Sequence, residues 1–505
     1  MKLKRLVAAF LAFTVLFSFT PNMAAISVSA NDDLDPDMVN ADDYIDDYNM
    51  DEDSATTEKY NPKCIKAVVD EAKALGIPNA FYRHKLAEEF SSNAIKAPAN
   101  MSYSLVSSDA GTDGIVLKNI DTGVLANTKI DLGEFDFGTE KVGRVVYNML
   151  AKKNMKGKAY LYFGDATIAF ASITIKRCDD ESWEATKNLT ADLRNANVSG
   201  KGHLYMTFVA DSALDESGNI VDKSGKKGDL YLESIFFTAA VNPVLDFDID
   251  SEVNTVEEVN GSKYHSVTGY GDMNIEIPNG YVSEYGGNTT DSTYELDYIR
   301  GRGNSTWLED KKPYKVKLDK AVDLFGMGKN KHWVLLANYY DYSLMRNKLT
   351  YYLAEKMGLE FTPKSIFVDV VMDGEYLGSY QLSQHIRLGK YNIDIDDLEE
   401  EYASADPEIT GGYLLTMGES WLTKDFNTAP VISTDIGGIM IDKPEYGEDY
   451  PADAKEAQIN YVKNYIATIC ERVNALASGE ASRDASGNSW REYLDEQSII
   501  DYYLL

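Results

Sequence analysis

Arg300-Gly301-Arg302-Gly303-Asn304-Ser305-Thr306-Trp307, with Lys311-Lys312-Pro313-Tyr314-Lys315-Val316-Lys317-Leu318 shortly after it, is the most specific stretch of this 505-residue chain. Its glycines mark a turn in which backbone amides are open to approach. The alternation from Tyr314 to Leu318 reads as a half-exposed strand, so Lys315 and Lys317 are expected on a solvated face. Outward from there, Lys331-His332-Trp333-Val334-Leu335-Leu336-Ala337-Asn338 is a second apolar run. Asp341-Tyr342-Ser343-Leu344-Met345-Arg346-Asn347-Lys348-Leu349 opens a helix, with Ser343 as its cap and Gly358 as the stop after Met357. Phe367 to Met372 and Tyr376 to Leu382 flank Asp373-Gly374, a hairpin signal. Ile459, Val462, Ile466, Ile469, Val473 and Leu476 form one helical stripe that closes at Gly479. The segment 263–505 is therefore expected to mix α and β elements.

Upstream the period is different. Ile130 to Leu132, Ala159 to Phe163, Ser172 to Ile175 and Leu204 to Val209 are short strands separated by Gly, Asn and Asp turns, so 99–240 reads as a β-sandwich. Residues 241–262 read as a linker or crossover. Ile65, Val68, Val69 and Ala72 recur at helical spacing until Gly76-Ile77-Pro78, so 61–98 reads as a short helical segment. Residues 31–60 form an acidic leader, expected to be disordered, with carboxylates from Asp32 to Glu58 and no basic residue among them. Asp51 and Asp53 alternate as in a calcium loop, but no glycine turn and terminal Glu follow at that spacing. At the start, Lys2, Lys4 and Arg5 precede an apolar run from Leu6 to about Thr20, and Val28-Ser29-Ala30 offers a cleavage site. Residues 1–30 are read as a signal peptide, too short in its apolar run for a membrane span.

Composition narrows the function classes. Losing the three positive charges of residues 1–30 takes the net charge from −32 to −35, a poor match for nucleic-acid phosphates. No nucleic-acid partner and no transmembrane anchor are expected. Cys64, Cys178 and Cys470 are too few and too scattered for a disulfide framework or metal cluster, so the fold must rest on hydrophobic cores. Tyrosine is used 34 times and tryptophan 5 times, which suits exposed β surfaces or sugar-facing ones.

Taken in order, the motifs from Arg300 to Leu349, the hairpin Gly374-Glu375-Tyr376-Leu377-Gly378-Ser379-Tyr380 and the run Asn392-Ile393-Asp394-Ile395-Asp396 resemble the CotH (spore coat protein H) family of secreted atypical kinases. The resemblance implies an α+β kinase-like domain that uses ATP with Mg2+ or Mn2+. On that reading Arg302, Gly303 and Ser305 turn over the nucleotide, Lys312 reaches phosphate, and Arg346 and Asn347 contact ligand or brace the loop. Asp394 and Asp396 are metal-ligand candidates, with a solvated acidic loop as the alternative. His332 and His385 lack partners at ligand spacing and receive no role. The chain departs from the family where Gln384 stands in place of a glutamate that would pair with the nucleotide lysine. Thr416 and Gly418 likewise replace acidic residues after Gly411-Gly412-Tyr413-Leu414-Leu415. The family's catalytic and metal-binding aspartates are expected beyond Leu505, making this domain incomplete and the chain a fragment of its parent.

The sandwich is similar to family 6 carbohydrate-binding modules. The matching pieces are Lys129-Ile130-Asp131-Leu132-Gly133, Trp183 nine residues before Asp192, Gly200-Lys201-Gly202-His203-Leu204-Tyr205 and the closing run Tyr231 to Phe237. That resemblance implies a sugar platform at Trp183, with core burial as the alternative, and a structural Ca2+. Glu233 falls at an acidic family position, but Ser234 replaces an aromatic one. The leading expectation is thus a multidomain secreted protein that phosphorylates Ser or Thr of an extracellular or coat protein, with a polysaccharide as a second partner. The alternative is a non-catalytic cell-surface or polysaccharide-associated protein using the kinase-like domain as scaffold. No carboxylate pair in a convincing context supports a glycoside hydrolase.

Overall fold

The computed structural model describes residues 73–87, 102–107, 113–121, 128–153, 156–178, 187–211, 214, 227–262, 265–287, 290–303, 305–417, 430–434, 437–477 and 490–504. The segments read as signal peptide and acidic leader, and Cys64, Trp183, Gly418 and Gly479, lie outside them.

Ten strands build the first unit: β1 (His84–Lys85), β2 (Ser102–Ser107), β3 (Asp113–Asp121), β4 (Ile130–Asp136), β5 (Val142–Lys153), β6 (Gly157–Phe163), β7 (Ala171–Arg177), β8 (Leu189–Asp192), β9 (Lys201–Ala210) and β10 (Lys227–Ala239). One layer runs β2-β3-β10-β5-β8, with β1 extending the β3 side of β10. The other runs β4-β9-β6-β7. Alternation places every second side chain between the layers, as in β7, where Ala171, Ile173 and Ile175 are buried and Ser172 and Thr174 are not. Phe135, Phe137 and Phe237 stack edge to face at the centre of this core. The β-sandwich expected for this region is what the strands form. Within the segment expected to be helical, the described residues hold α-helical positions at 73–74 and 86–87, a 3-10 turn (Asn79–Phe81) and β1, and Leu86 and Ala87 enter the sandwich core. Glu233 is buried in β10 and accepts a 2.6 Å hydrogen bond from Asn148 Nδ2. Burial raises its pKa, against the pull of Arg83 and Lys85.

The second unit is a closed barrel. Its strands are β11 (Val244–Ile249), β12 (Gly269–Glu276), β13 (Ser292–Gly301), β14 (Tyr314–Asp323), β15 (Lys329–Leu336), β16 (Ser365–Met372) and β17 (Glu375–Gln384). They pair antiparallel in the order β11-β12-β13-β14-β15-β17-β16, and a parallel pairing of β16 with β11 closes the ring. Closure leaves no strand edge in the ring unpaired. The linker expected at 241–262 therefore holds β11 and a short helix, α1 (Val256–Gly261). The reason is legible afterwards: Leu245, Phe247 and Ile249 alternate with Asp246 and Asp248 and point into the barrel core. Asp373 and Gly374 adopt φ of 49° and 76°, the left-handed pair that a two-residue hairpin needs.

A third, smaller core follows. Strands β18 (Leu414–Met417), β19 (Val431–Thr434) and β20 (Gly437–Lys443) form a sheet in the order β18-β20-β19. Val462, Ile466 and Ile469 of a long helix pack against it with Leu415, Ile432, Ile439 and Ile441. In chain order the helices after α1 are α2 (Arg346–Met357), α3 (Leu398–Glu401), α4 (Ala452–Ala477) and α5 (Glu496–Leu504). Among the described residues the fold is thus mostly β, with few helices. None among the described residues is long and apolar enough to cross a membrane.

Sandwich and barrel are joined by backbone and by charge. Tyr376 N donates to Asn188 O at 2.7 Å, and Thr190 N donates to Gly374 O at 3.2 Å. The hairpin turn thereby extends the sandwich edge at β8. Arg144, 4% exposed, pairs with Glu276 of β12. Arg194 binds Asp291 at 3.0 Å and the Ile277 carbonyl at 3.0 Å.

Candidate functional site

The turn between β13 and β14 is built around one tryptophan. Ser305–Leu308 form a 3-10 turn that drops Trp307, 2% exposed, beneath Gly301. A Cβ on Gly301 would lie 2.5 Å from the indole ring, which is why glycine stands there. Trp307 Nε1 donates to Ser262 O at 2.9 Å, and the ring packs edge to face against His265 and Tyr314. Gly303 takes φ of 81°. Lys312 folds back over this turn: its Nζ donates to Trp307 O at 2.7 Å and sits 5.1 Å above the indole. Burial lowers its pKa, and Asp310 and Glu309 oppose that. Lys311 is buried deeper, donating to Ser379 O with its ammonium 4.5 Å from the Tyr380 ring centre. Burial pushes it down to about 8, against the pull of Asp369. Both lysines anchor the loop that carries Arg302, Gly303 and Ser305.

A second loop meets the first. Tyr340 Oη donates to Glu309 at 2.6 Å and to Ser305 O at 3.3 Å. Burial raises the pKa of Tyr351 on α2, and the Arg302 guanidinium opposes it. Ser343 does not cap α2; Asp341 holds the helix start, accepting from Arg346 N at 2.7 Å and from Ser343 Oγ at 2.7 Å. A carboxylate outcompetes the hydroxyl for the Arg346 N–H because its hydrogen bonds are charge-assisted. Gly358 ends α2 in the left-handed conformation, as its position predicts. Asn347 Nδ2 donates to Asn338 Oδ1 at 2.9 Å, Asn338 Nδ2 to Gln381 Oε1 at 3.2 Å, and Gln381 Nε2 to Ser365 Oγ at 2.9 Å. Asn347 therefore braces the loop onto the barrel wall, while Arg346 is exposed at the helix start.

The outer face of the barrel corrects the reading of Lys315. It points away from the core, opposite Tyr314 and Val316, yet it is only 1% exposed. Strand alternation decides which face a side chain takes, not whether that face meets water. Arg300, 3% exposed, is its partner across β13 and β14. Lys317 lies opposite Tyr298 on one side and His332 of β15 on the other, and it pairs with Asp297 at 2.8 Å. The segment after β17 adds His385, with its ring 6.3 Å from that of His332, and Arg387, with Nη1 3.0 Å from His332 Nε2. Arg300, Lys315, Lys317, His332, His385 and Arg387 thus converge on one wall of a strongly acidic protein. Burial, then Arg387, Lys315, His385 and Lys317 in that order, push His332 down to about 2. The two histidines gain their partners from strand pairing, which spacing along the chain does not reveal.

Gln384 is fully committed to backbone. Its Nε2 donates to Met327 O at 2.6 Å and Tyr391 O at 2.8 Å, and its Oε1 accepts from Lys364 N at 2.9 Å. Asp394 and Asp396 are exposed. Among the described residues no three His, Cys, Asp or Glu side chains are grouped to hold a metal ion. Thr416 donates to Asp442 of β20, so a carboxylate does stand beside that position, contributed by the neighbouring strand.

Among solved structures, the chain is similar to a family 43 glycoside hydrolase, an arabinoxylan arabinofuranohydrolase from Bacillus subtilis solved with cellotetraose, at 10% identity and a TM-score of 0.23. That match covers 32% of this chain and 27% of the hydrolase, so the chain spans about a quarter of that protein's length. It is also similar to CsCBM6-3 from Clostridium stercorarium in complex with cellobiose, at 11% identity and TM-score 0.21, covering 32% of this chain and 94% of that one. A third, a β-1,3-glucan-binding family 6 carbohydrate-binding module from Bacillus halodurans, matches at 12% identity and TM-score 0.22, covering 32% and 97%. No curated protein matches the chain. Residues 299–505, from the last turns of β13 through α5, match the family model described as CotH kinase protein, so this chain carries a CotH-family domain.

Proposed function

We propose that the CotH-family domain binds the phosphates of ATP on the basic outer wall of the barrel and directs phosphoryl transfer to Ser or Thr of an extracellular or coat protein. The observation that carries this reading is the convergence of Arg300, Lys315, Lys317 and His332 on one face within the matched segment. Phosphoryl transfer is achieved chiefly by positioning and charge neutralisation, and buried guanidinium and ammonium groups supply both. A nucleotide's phosphates fit this donor set. A metal-binding group of three His, Cys, Asp or Glu does not occur among the described residues, so no step here is assigned to Mg2+ or Mn2+. On this reading the barrel and the helix-bearing layer after it act as an atypical kinase-like α+β domain. Lys315 takes the phosphate role, and Lys312 holds the turn from Arg302 to Ser305 in shape. The export-type start of the sequence supports secretion, and the sandwich supports an accessory polysaccharide contact at the cell surface.

A second reading, a non-catalytic scaffold, is favoured by Gln384, whose three hydrogen bonds leave nothing to orient a nucleotide lysine. One experiment separates the two. The full chain is titrated with a fluorescent ATP analogue and Mn2+, beside Lys315→Met and Lys312→Ala, each checked for folding by circular dichroism. The kinase reading expects Lys315→Met to weaken binding by roughly tenfold or more, the value of a charge-assisted contact. Lys312→Ala is expected to lower the melting temperature with a smaller effect on affinity. Absence of nucleotide binding by the folded wild-type chain overturns the proposal. Nucleotide binding without transfer to a mixed Ser/Thr protein substrate supports the scaffold.

A further inference from the structure

We propose that His332 is an oxyanion-binding residue, its Nδ1–H donating to a phosphate oxygen of a ligand held on the barrel's outer wall. The argument starts from the tautomer. Arg387 Nη1 lies 3.0 Å from His332 Nε2. A guanidinium offers only N–H donors, so Nε2 must present its lone pair. The ring's one proton then sits on Nδ1. That atom is buried and has no hydrogen-bond partner among the described residues. A buried donor without an acceptor is rare in folded proteins and marks a place where one is meant to arrive.

The surroundings say what kind of acceptor. From β14 the ring faces Lys315 and Lys317, and from the segment after β17 it faces His385 and Arg387. Asp297, a carboxylate beside this wall, is paired with Lys317. Burial first, and then the positive field, keep the imidazole neutral, so it serves as a neutral donor at ordinary pH. A ligand that satisfies Nδ1–H must therefore be anionic and rich in acceptor oxygens. Arg300 and Lys315 are paired on adjacent strands, and His332 stands opposite Lys317 on the next strand, with strands about 4.8 Å apart, so the wall suits a chain of phosphates better than a single one. This inference rests on the nucleotide-phosphate reading of the same wall, and it adds a donor that the basic residues alone do not provide.

The test uses the full chain. Ring nitrogens of His332 are assigned by long-range proton–nitrogen NMR at pH 6, then followed during titration with inorganic tripolyphosphate and, separately, ATP. Affinities are measured for wild type, His332→Phe and His332→Asn; asparagine keeps an N–H donor near the Nδ1 position. Expected are a neutral ring protonated at Nδ1, a downfield shift of that proton on binding, roughly tenfold weaker binding by the Phe variant, and recovery of most of the loss by Asn. Equal effects on tripolyphosphate and ATP assign the contact to the phosphate chain. An Nε2–H tautomer or a cationic ring at pH 6 overturns the inference. So does a Phe variant that binds as tightly as wild type, and in that case the nucleotide reading stands. If wild type binds neither probe, both fall together.

Discussion

Replacing Gln384 by glutamate tests whether this position is a clamp or the remnant of an ion pair. The side chain is buried, and its amide nitrogen donates to two carbonyls, Met327 O and Tyr391 O, while its oxygen accepts from Lys364 N. That arrangement requires both an NH2 group and an oxygen, so the orientation of the amide follows from its partners. A glutamate keeps the bond from Lys364 but turns an oxygen toward both carbonyls. If ionised, it forfeits two hydrogen bonds and sets a buried charge against two carbonyl dipoles. If protonated, it regains one donor, and holding it so at pH 7 costs about 4 kcal/mol, from roughly 1.4 kcal/mol for each unit above a carboxyl pKa near 4.3. One carbonyl still lacks a donor, adding about 1–2 kcal/mol. The expected loss is therefore about 4–6 kcal/mol at pH 7. The new carboxyl has a folded pKa above its unfolded one. The deficit is then smallest below about pH 4.3 and grows by about 1.4 kcal/mol per unit as pH rises toward the folded value. Urea unfolding followed by tryptophan fluorescence at pH 5 and pH 7, variant against wild type, measures it. A variant as stable as wild type at both pH values, or a stabilised one, refutes the clamp and implies that the side chain swings to a lysine.

Three further substitutions probe the framework that carries the wall. Trp307→Ala removes the ring beneath Gly301 and the bond to Ser262 O, and is expected to cost about 3–5 kcal/mol in chemical denaturation. Arg144→Met leaves Glu276 buried at the sandwich–barrel junction, with Arg194 at 3.9 Å as its remaining cationic partner there, for an expected loss of about 3–5 kcal/mol. Burial already raises the Glu276 pKa against the pull of Arg144, so this loss is expected to be larger at pH 8 than at pH 5, where protonation relieves it. Gly374→Ala forces an L side chain into φ of 76° at the hairpin turn, and a drop of about 1 kcal/mol in unfolding free energy checks it.

What could be read from the sequence here was whatever is local. Alternation located β4, β6, β7 and β9, Asp373-Gly374 located the hairpin, and the stripe from Ile459 to Val473 located α4, because each pattern is set by neighbours a few residues apart. The barrel was not readable in that way. Its ring closes through a parallel pairing that joins Val244 to Asp369, and no turn signal announces a contact of that separation. For the same reason 241–262 passed for a linker, although Leu245, Phe247 and Ile249 carried a strand's alternation.

The site follows the same division, and the pair Lys312 and Lys315 shows why. Both are lysines beside the glycine turn, and the family resemblance favours Lys312 as the phosphate ligand. The proposed function assigns that role to Lys315 instead. Lys312 folds back to give one of its three donors to Trp307 O within its own loop, whereas Lys315 is paired with Arg300 from one strand and flanked by His332 from another. A charged residue in a strand tells which face it takes; what lies over that face is decided by chain far away, here by residues such as Arg387, 55 positions from the histidine it touches. A lysine buried on a barrel's outer wall needs anionic or acceptor groups to offset its desolvation. On the proposed reading, an incoming phosphate chain adds to the groups that offset it.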